Sequence, residues 1–535
     1  MPVKLHPSAR GAYDYPLLIK NLLSGLPQWR DQWIVSDDRR YTYGTFETRI
    51  ARLASALSRL GVEPGQTVAV MDWDSHRYLE CYFAVPSMGA VLQTVNVRLS
   101  PQQIAFTLAQ TGAETLIYHQ DFAPLVAQIA GSLPALQRRI VMAPATAEGC
   151  VDNFEAMVDS GSPDFVFPDF DENAVATTFH TTGTTGDPKA VSFSHRQLVL
   201  HTLAVGTALA NQPDGQGFRR GDVYMPMTPM FHVHAWGMPY LAVMVGVKQV
   251  YPGRYEPKRL LALKRSEGVT FSHCVSTILR MLLDALGEEE GGLAPWTMVI
   301  GGGPLPTSLM VQAREKGIST IGGYGMSETG PVIALARVSP DDPPEARCRA
   351  GLPAPLVHVR VDVPAGGGEG ELLLRAPWLT NDYPGTPAAG EALWEGGWLH
   401  TQDIARIAPD GGVSIVDRMK DVIKTGGEWV SATLLEELTL RHPAVEDVAF
   451  IGVPHPRWGE RPLAVLATKG RIAPPSLEGL QAHLRAYADA GAISRYAVPD
   501  EMMVIEALPR TSVGKVDKKN LRILAEHRPE IRKQG

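Results

Sequence analysis

The chain has 535 residues and a formal net charge of −7, and it is 44% hydrophobic and 20% charged. This balance is typical of a globular protein and excludes a disordered one, and the length predicts two or more domains. Because an acidic chain has no broad basic surface, we expect no nucleic acid as a partner.

The cysteines and the most apolar segment indicate the cellular compartment in which the protein works. The four cysteines lie far apart without a C-x-x-C pair, which argues against a disulfide framework or a zinc site and suits a reducing environment. The first residues lack the pattern of a signal peptide. The most apolar stretch, residues 237–251, is short and is interrupted by Lys248, so we expect no transmembrane segment and a cytoplasmic protein.

The first elements in chain order alternate between helices and strands. Residues 45–61 carry a helical stripe that ends at Gly61 and consists of Ile50, Leu53, Ala54, Leu57 and Leu60. The pattern of residues 67–72 predicts a buried strand, and the alternation of helix and strand continues through residues 80–96. Such alternation indicates an α/β fold with layers of mostly parallel sheets and helices.

A strand that ends near His180 delivers a loop of four threonines and two glycines, followed by Lys189. Hydroxyls and bare amides donate to phosphate oxygens, and a lysine adds positive charge, so this loop is a candidate phosphate site. A flexible turn is the plain alternative. The sequence contains no Walker motif, so a loop of that type is excluded.

Several later segments are polar and glycine-rich where a core would be apolar. Tyr324 and Glu328 lie in GGYGMSETG, and the carboxylate of Glu328 suits Mg²⁺. Asp403 suits two ribose hydroxyls, and Lys515 lies on a Ser/Gly turn near the end. Seen singly, Glu328 could begin a helix and Asp403 could be a turn residue. The order in which they occur together is what favours a functional reading.

The pattern of predicted elements changes near residue 418. Three strand-like segments and one helical segment follow, which predicts a small α+β domain of about a hundred residues. We therefore expect an N-terminal domain over 1–417, a hinge at 418–421 and a mobile C-terminal domain over 422–535.

These motifs, in this order, resemble those of the adenylate-forming superfamily of acyl-CoA synthetases, luciferases and peptide-synthetase adenylation domains. The phosphate-loop pattern (Y/F)TSGTTGxPKG corresponds to HTTGTTGDPKA, and YGxTE corresponds to residues 324–328. The patterns TGD, DRxKDxIKxGGE and PRTxxGK correspond to residues 401–403, 417–428 and 509–515. The resemblance runs from residue 42 to residue 515.

The resemblance implies a site for ATP, Mg²⁺ and coenzyme A and assigns roles to individual residues. Lys515, Ser327 and Glu328 are the implied catalytic residues, with Thr184 and Glu328 at the metal. The phosphates are assigned to Thr181, Thr182, Gly183, Thr184, Thr185, Gly186 and Lys189. The rest of the nucleotide is assigned to Gly301, Gly302, Gly303, Pro304, Gly323, Tyr324, Gly325, Met326, Asp403 and Arg418. Lys424 and Trp429 are also assigned to the adenylate, Lys420 is the implied hinge residue, and Gly426 and Gly427 are assigned to the pantetheine arm of coenzyme A.

The segment PMFHVHAWGMPY is most similar to fatty acyl-CoA synthetases, which place a histidine and a tryptophan beside the acyl channel. The implied acid-binding residues are His232, Val233 and Trp236. This region has no carboxylate to hold an ammonium group, which favours an acid with an uncharged tail. The sequence departs from the family pattern at His180, Ala190, Ser276, Ser327 and Gln402.

The implied activity is an ATP-dependent fatty acid–CoA ligase that forms acyl-AMP and then a thioester, after rotation about the hinge. An aromatic, alicyclic or sulfur-containing acid remains an alternative substrate, and a carrier protein remains an alternative acceptor. A nucleotide-sensing protein is the non-enzyme alternative, which an intact Lys515 and Glu328 oppose. A homodimer is a further open expectation.

Overall fold

The computed structural model describes residues 3, 9–36, 39–143, 153–181, 188–287, 292–337, 339, 342–363, 368–426, 428–468, 473–511 and 515–527. Within these residues the chain forms four β-sheets with helices packed around them. No helix in the described part of the chain is both long and apolar enough to cross a membrane.

The strands in chain order are β1 (Trp33–Ser36), β2 (Arg39–Thr42), β3 (Thr67–Met71), β4 (Val91–Thr94), β5 (Thr115–His119), β6 (Arg138–Met142), β7 (Val175–Thr181), β8 (Lys189–Ser194), β9 (Val223–Pro226), β10 (Lys248–Tyr251), β11 (Phe271–Cys274), β12 (Trp296–Ile300), β13 (Ile318–Tyr324), β14 (Ala334–Leu335), β15 (Leu352–Pro353), β16 (His358–Asp362), β17 (Gly370–Arg375), β18 (Trp394–Glu395), β19 (Trp398–Ile407), β20 (Val413–Arg418), β21 (Ile423–Thr425), β22 (Glu428–Val430), β23 (Val445–His455), β24 (Gly459–Thr468) and β25 (Glu501–Ile505). The α-helices span Tyr43–Arg59, His76–Ser87, Pro101–Gln110, Ala123–Ala130, Phe154–Ser160, His195–Ala210, Met238–Val245, Pro257–Glu267, Ser276–Leu286, Thr307–Glu315, Pro387–Leu393, Ala432–Thr439, Leu477–Asp489 and Lys518–Glu526.

Two large sheets form the N-terminal part. One has the order β6-β5-β3-β4-β7-β8 and is parallel except for the β7–β8 pair. The other has the order β15-β14-β13-β12-β11-β9-β10-β1-β2 and is parallel from β13 to β1. The predicted α/β fold with mostly parallel sheets is therefore confirmed.

Two smaller sheets follow. The strand order β16-β17-β19-β18, with β20 on β19, is antiparallel throughout and was not anticipated from the sequence. The last sheet has the order β22-β21-β24-β23, with β25 parallel to β24, and its helices include Leu477–Asp489. The predicted small α+β unit is thus present after β20.

The predicted helical stripe lies on helix Tyr43–Arg59. Thr42 caps this helix, because its side chain accepts a hydrogen bond from the backbone N–H of Thr45. Leu53 and Leu57 are fully buried, as the stripe requires, but Leu60 is 39% exposed. The stripe was therefore wrong at its last member, because the helix ends at Arg59 and Leu60 follows in the cap.

Candidate active site

Asp403 is the centre of a buried polar group between two sheets. It lies on β19 opposite Arg418 on β20, and Nε of Arg418 is 3.4 Å from Oδ1 of Asp403. The hydroxyl of Tyr324, at the end of β13, donates to Oδ2 of Asp403 over 2.7 Å. Burial raises the pKa of Asp403, and the positive charge of Arg418 acts against that rise. The structure thus brings together three residues that the sequence assigned to the nucleoside.

Gln402 fills the position where the family pattern has glycine. Its φ angle is +59°, in the left-handed region that glycine adopts without strain. Oε1 of Glu371 accepts hydrogen bonds from the backbone N–H of Gln402 over 2.9 Å and from its side-chain amide over 3.1 Å. These bonds hold the left-handed residue, and with it the neighbouring Asp403.

Glu328 lies in a buried turn, Ser327–Thr329, directly after β13. Its Oε1 accepts a 2.6 Å hydrogen bond from the hydroxyl of Tyr383, and the ammonium of Lys189 lies 4.9 Å from the centroid of the Tyr383 ring. Burial raises the pKa of Glu328, while the Tyr383 bond and the charges of Arg418 and Lys189 oppose the rise. Tyr383 therefore links the implied metal carboxylate to the phosphate-loop lysine.

The turn that carries Ser327 is fixed by its neighbours. The indole N–H of Trp378 donates to the carbonyl of Thr329 over 3.0 Å, and the backbone N–H of Thr380 donates to that of Glu328 over 2.9 Å. A Cβ on Gly325 would lie 1.2 Å from the carbonyl oxygen of Pro331, so only glycine fits there. This close crossing explains why the motif needs that glycine.

Lys515 projects into this site from the C-terminal part. Its Cε lies 3.6 Å from the position that a Cβ on Gly302 would take. Burial and the positive charge of Arg418 lower the pKa of Lys515, the charges of Asp403 and Glu328 oppose that change, and the net pKa is about 8. The end of the Lys515 side chain thus lies beside the glycine segment and within electrostatic reach of Asp403 and Glu328.

Contacts around Lys515 tie the last segment to the rest of the chain. A guanidinium N–H of Arg510 donates to the hydroxyl of Thr277 over 3.0 Å, and Arg510 also pairs with Asp447. Oγ of Ser276 donates to the carbonyl of Pro304 over 2.5 Å, which ties the start of helix Ser276–Leu286 to the glycine segment. Ser276, an unusual residue for the family, is thus a structural contact of that segment.

The implied acid-binding residues form an unusual backbone turn. Val233, His234, Ala235 and Trp236 have φ angles between 47° and 60°, and Gly237 follows at 72°. Non-glycine residues in this left-handed conformation cost roughly 1–2 kcal/mol each, so the surrounding structure must hold the turn.

Burial lowers the pKa of His232 to about 3, and the charges of Lys515 and Arg98 contribute to that shift. His232 therefore lies within electrostatic reach of the Lys515 ammonium. His232 directly precedes the left-handed turn, and this position is consistent with its assignment to the acid-binding residues.

Trp236 is buried and stands beside a small apolar cavity. Its ring centroid is 5.0 Å from that of His273, with the planes tilted by 36°. Cζ2 of Trp236 lies 3.9 Å from the Cβ position of Gly302, which Lys515 also flanks. The cavity beyond it has a volume of ≈ 10 Å³. It is lined by Val205, Leu209, Trp236, Met238, His273, Val299, Val332 and Leu335.

Part of the predicted phosphate site lies outside the described residues. The residues concerned are Thr182, Gly183, Thr184, Thr185 and Gly186. Gly427, which was assigned to coenzyme A, also lies outside the described residues. The two ends of the loop are described, because Thr181 on β7 pairs directly with Lys189 on β8. The loop therefore joins two adjacent antiparallel strands, and Lys189 lies at its exit.

The β21–β22 hairpin carries Lys424 and Trp429, which the resemblance assigns to the adenylate, and Gly426, which it assigns to coenzyme A. Lys424 pairs with Trp429 across it, and both side chains are exposed. A Cβ on Gly426 would lie 3.4 Å from the ring of Trp458 and 3.8 Å from that of Tyr496. These predicted residues form a second group, defined by contacts within the C-terminal part.

Sequence reasoning missed Tyr383, Trp378 and His273. Tyr383 and Trp378 lie after β17 in a segment without a motif, and His273 lies inside a buried strand. The only sequence signal was their type, a large polar aromatic or histidine in an apolar neighbourhood, which ordinary cores also contain.

Comparisons with known proteins agree with this geometry. The family model "AMP-binding enzyme" matches residues 26–383, and "AMP-binding enzyme C-terminal domain" matches residues 434–515. The long-chain-fatty-acid–CoA ligase of Thermus thermophilus is 40% identical over 500 residues, covering 90% of each chain. The 3-methylmercaptopropionyl-CoA ligase of Ruegeria lacuscaerulensis is 35% identical over 535 residues, covering 95% of this chain and 97% of that protein.

A solved structure supports the fold. The anthranilate CoA ligase AuaEII in complex with anthranoyl-AMP matches with a TM-score of 0.84 at 24% identity, covering 96% of this chain and 98% of that one. The chain belongs to the AMP-binding enzyme family. The predicted family and the predicted class, an ATP-dependent acid–CoA ligase, are confirmed.

Proposed function

We propose that this enzyme joins a fatty acid to coenzyme A through an acyl-AMP intermediate. The observation that carries the proposal is the position of Lys515. Its side chain lies beside Gly302, and the charges of Asp403, Glu328 and Arg418 all shift its pKa. A single cation thus reaches the place where an acid's carboxylate and the α-phosphate of ATP would meet.

The nucleotide would be held by the residues that the motifs assigned to it. Asp403 accepts hydrogen bonds from the ribose hydroxyls, with Arg418 beside it, while Tyr324 and the 301–304 segment flank adenine. Ser327 binds the α-phosphate, and Thr181 and Lys189 bind the outer phosphates together with the loop between them. This arrangement is supported by the Asp403–Tyr324 bond and the β7–β8 pairing.

The residues present fit a Mg²⁺ ion that arrives with ATP. No cluster of three or more His, Cys, Asp or Glu residues in the described part of the chain could hold a metal alone. Mg²⁺ commonly binds through one carboxylate plus substrate phosphates, and Glu328 is a buried carboxylate beside the phosphate-loop lysine. The ion would neutralise charge on the phosphates, and Thr184 is the further proposed ligand.

The first step needs electrostatic help. A carboxylate oxygen attacks the α-phosphorus, and the bond from that phosphorus to pyrophosphate breaks, which gives acyl-AMP and pyrophosphate. At 4 Å, the repulsion between two unit negative charges is about 4 kcal/mol in an effective dielectric of 20. Positive charge at Lys515, aimed at the meeting point, offsets this repulsion in the transition state.

The second step needs a path for the pantetheine arm of coenzyme A. The thiol attacks the acyl carbon, AMP leaves, and the thiol proton is released. We propose that the C-terminal domain, residues 422–535, rotates about residues 418–421 on the N-terminal domain, residues 1–417. Lys420 is the proposed hinge, and Gly426 and Gly427 would face the arm because they lack side chains.

The acid would lie against His232, Val233 and Trp236, a wall without a carboxylate. A fatty acid is supported by the long-chain-fatty-acid–CoA ligase among the relatives. A short sulfur-containing acid is the second candidate, supported by the 3-methylmercaptopropionyl-CoA ligase and by the small volume of the cavity beyond Trp236.

We also propose a cytoplasmic location. Cys81 and Cys274 are buried free thiols, as is usual in a reducing compartment. A homodimer stays a prediction.

The test is pyrophosphate release from ATP and Mg²⁺ with a panel of carboxylic acids, each with and without coenzyme A. We expect acid-dependent release, and thioester only when coenzyme A is present. ATP binding without release for any acid would favour a nucleotide sensor. Release without thioester formation from coenzyme A would favour transfer to a carrier protein.

A further inference from the structure

The Trp236 indole lies close to the catalytic cation. Lys515 Cε and Trp236 Cζ2 lie 3.6 Å and 3.9 Å from the same point, the Cβ position of Gly302. A carboxylate held at Lys515 would therefore lie close to the indole of Trp236. We take the apolar cavity that Trp236 lines as the space for its tail.

The space beyond Trp236 is small. The cavity has a volume of ≈ 10 Å³, enough for about one water-sized group. Its lining comes from helix His195–Ala210, from the sheet and from the segment after Gly330. Among the eight lining residues, His273 is the one with an ionisable side chain.

His273 forms a fixed wall of this cavity. It is fully buried on β11, with Nε2 2.8 Å from the hydroxyl of Tyr224 and Nδ1 3.2 Å from the hydroxyl of Thr228. Its ring centroid also lies 5.0 Å from that of Trp236 and 5.8 Å from that of Tyr224. Because both nitrogens have hydrogen-bond partners and the ring packs against two aromatic rings, it cannot turn aside as a free side chain would.

The imidazole presents an uncharged surface. Burial lowers the pKa of His273 to about 3, so the ring is neutral at physiological pH. Its nitrogens are already engaged with Tyr224 and Thr228, and its carbon edge remains for contact with an apolar group. The wall therefore accepts an uncharged tail and limits its length.

We propose that His273 sets the depth of the acyl pocket, so that the enzyme prefers short acids with an uncharged tail. This inference rests on the proposed function, because it assumes that an acid is activated at Lys515. It adds a specificity-determining residue that no motif contains. It also favours the short-acid candidate over a long-chain one.

The test compares chain-length profiles of three proteins. The measured quantity is kcat/KM for pyrophosphate release with straight-chain acids from butanoate to hexadecanoate, for the wild type, His273→Ala and His273→Phe. Each methylene that enters apolar surroundings raises kcat/KM about fourfold, until the pocket is full.

We expect the wild type to prefer the shortest acids. His273→Ala should move the optimum by two or more methylenes toward longer acids, with a gain of roughly tenfold for the acid at the new optimum. His273→Phe keeps an aromatic ring, somewhat larger than imidazole and without the hydrogen bonds, so the pocket is not deepened and the optimum should stay at short acids. The KM for ATP should stay near the wild-type value in both variants.

Each contrary outcome has a distinct meaning. A wild-type optimum at tetradecanoate or hexadecanoate overturns the inference and leaves the ligase activity standing, and so does an unchanged profile in a folded His273→Ala protein. Should His273→Ala fail to fold, His273→Val takes its place, because valine is smaller than histidine and suits a buried strand. No pyrophosphate release with any acid overturns the proposed function itself and the inference with it.

Discussion

The hydroxyl of Tyr383 donates a 2.6 Å hydrogen bond to Oε1 of Glu328, and no sequence motif connects these two residues. The same aromatic ring lies 4.9 Å from the ammonium of Lys189. One side chain therefore contacts both the carboxylate proposed for the metal and the cation proposed for the outer phosphates. This relationship makes Tyr383 a positioning residue for the proposed Mg²⁺–ATP site.

Tyr383→Phe should weaken binding of Mg²⁺–ATP while keeping the ring beside Lys189. The variant removes the bond that opposes the raised pKa of Glu328, so that pKa should rise further and the carboxylate should bind a cation less well. A lost hydrogen bond to a charged group corresponds to about 1.5–3 kcal/mol, or a loss of roughly tenfold to a hundredfold in affinity. Titration calorimetry of ATP with and without Mg²⁺ measures this.

Tyr41→Phe is the matched control. Tyr41 donates to Oε1 of the buried Glu80 over 2.9 Å, at a pair that belongs to the packing of helices Tyr43–Arg59 and His76–Ser87. Both variants should lose thermal stability, but only Tyr383→Phe should change the Mg²⁺ dependence of ATP binding. An equal affinity in the two variants contradicts the positioning role.

The first half-reaction should depend on the charge of Lys515. A lysine is charged below its pKa, and that of Lys515 is lowered to about 8. Because kcat/KM reports the ionisation of the free enzyme, kcat/KM for pyrophosphate release should fall by about tenfold per unit as the pH rises above 8. The measurement is a pH profile of kcat/KM between pH 6 and 10, with ATP and the acid both below their KM values so that the free enzyme is the species that titrates.

Two variants check that assignment. Lys515→Arg keeps its charge throughout this range, so the alkaline fall should vanish even if the rate is lower. Lys515→Ala should lose pyrophosphate release by about two orders of magnitude or more, yet should still convert supplied acyl-AMP and coenzyme A to thioester. Equal losses in both half-reactions would refute this division of labour.

Asp403→Asn should raise the KM for ATP by about tenfold or more, because a neutral amide replaces a charged acceptor of the ribose hydroxyls. It also leaves Arg418 without its carboxylate partner at 3.4 Å. Asp410→Asn, in the turn between β19 and β20, is the control, since Asp410 accepts a bond from the backbone of Gly412. Steady-state kinetics with varied ATP distinguish the two, and similar KM values would argue against a ribose role.

Lys420→Pro should impair thioester formation and spare adenylation, which is the reverse of the effect expected for Lys515→Ala. Proline fixes φ at residue 420 and restricts Met419, so the proposed rotation should be hindered. We expect acyl-AMP to form and accumulate on the enzyme while thioester formation falls by roughly tenfold or more, as rapid-quench measurements of both products would show. Normal overall turnover would place the hinge elsewhere or make rotation unnecessary.

The sequence was informative wherever chemistry demands fixed residue types in order. Tyr324, Asp403, Arg418 and Lys515 were chosen from motifs spread over almost two hundred residues, and the structure gathers them around one site. The alternation of helices and strands predicted mostly parallel sheets, because hydrophobic periodicity and turn residues are local properties of the sequence. Both successes rest on features that a short stretch of sequence contains.

The remainder depends on long-range packing. Tyr383 reaches Glu328 across 55 positions, and nothing in its own neighbourhood marks it. The left-handed turn at Val233–Trp236 is equally hidden, since these residue types favour right-handed or extended backbone. His273 was missed because a histidine in a strand is read as core until its neighbours, here Trp236 and Tyr224, are known.

The left-handed turn should persist even under selection for heat tolerance. Glycine at Val233, His234 or Ala235 would relieve roughly 1–2 kcal/mol of backbone strain at each position, although glycine also makes the unfolded chain more flexible. All three side chains are buried, and the His234 ring packs against those of Tyr82 and Phe179. Removing a large buried side chain costs roughly 2–5 kcal/mol, which exceeds the strain relieved. A laboratory selection for thermal stability alone would therefore keep Val233 and His234, and the backbone turn beside the proposed acid site would be inherited with them.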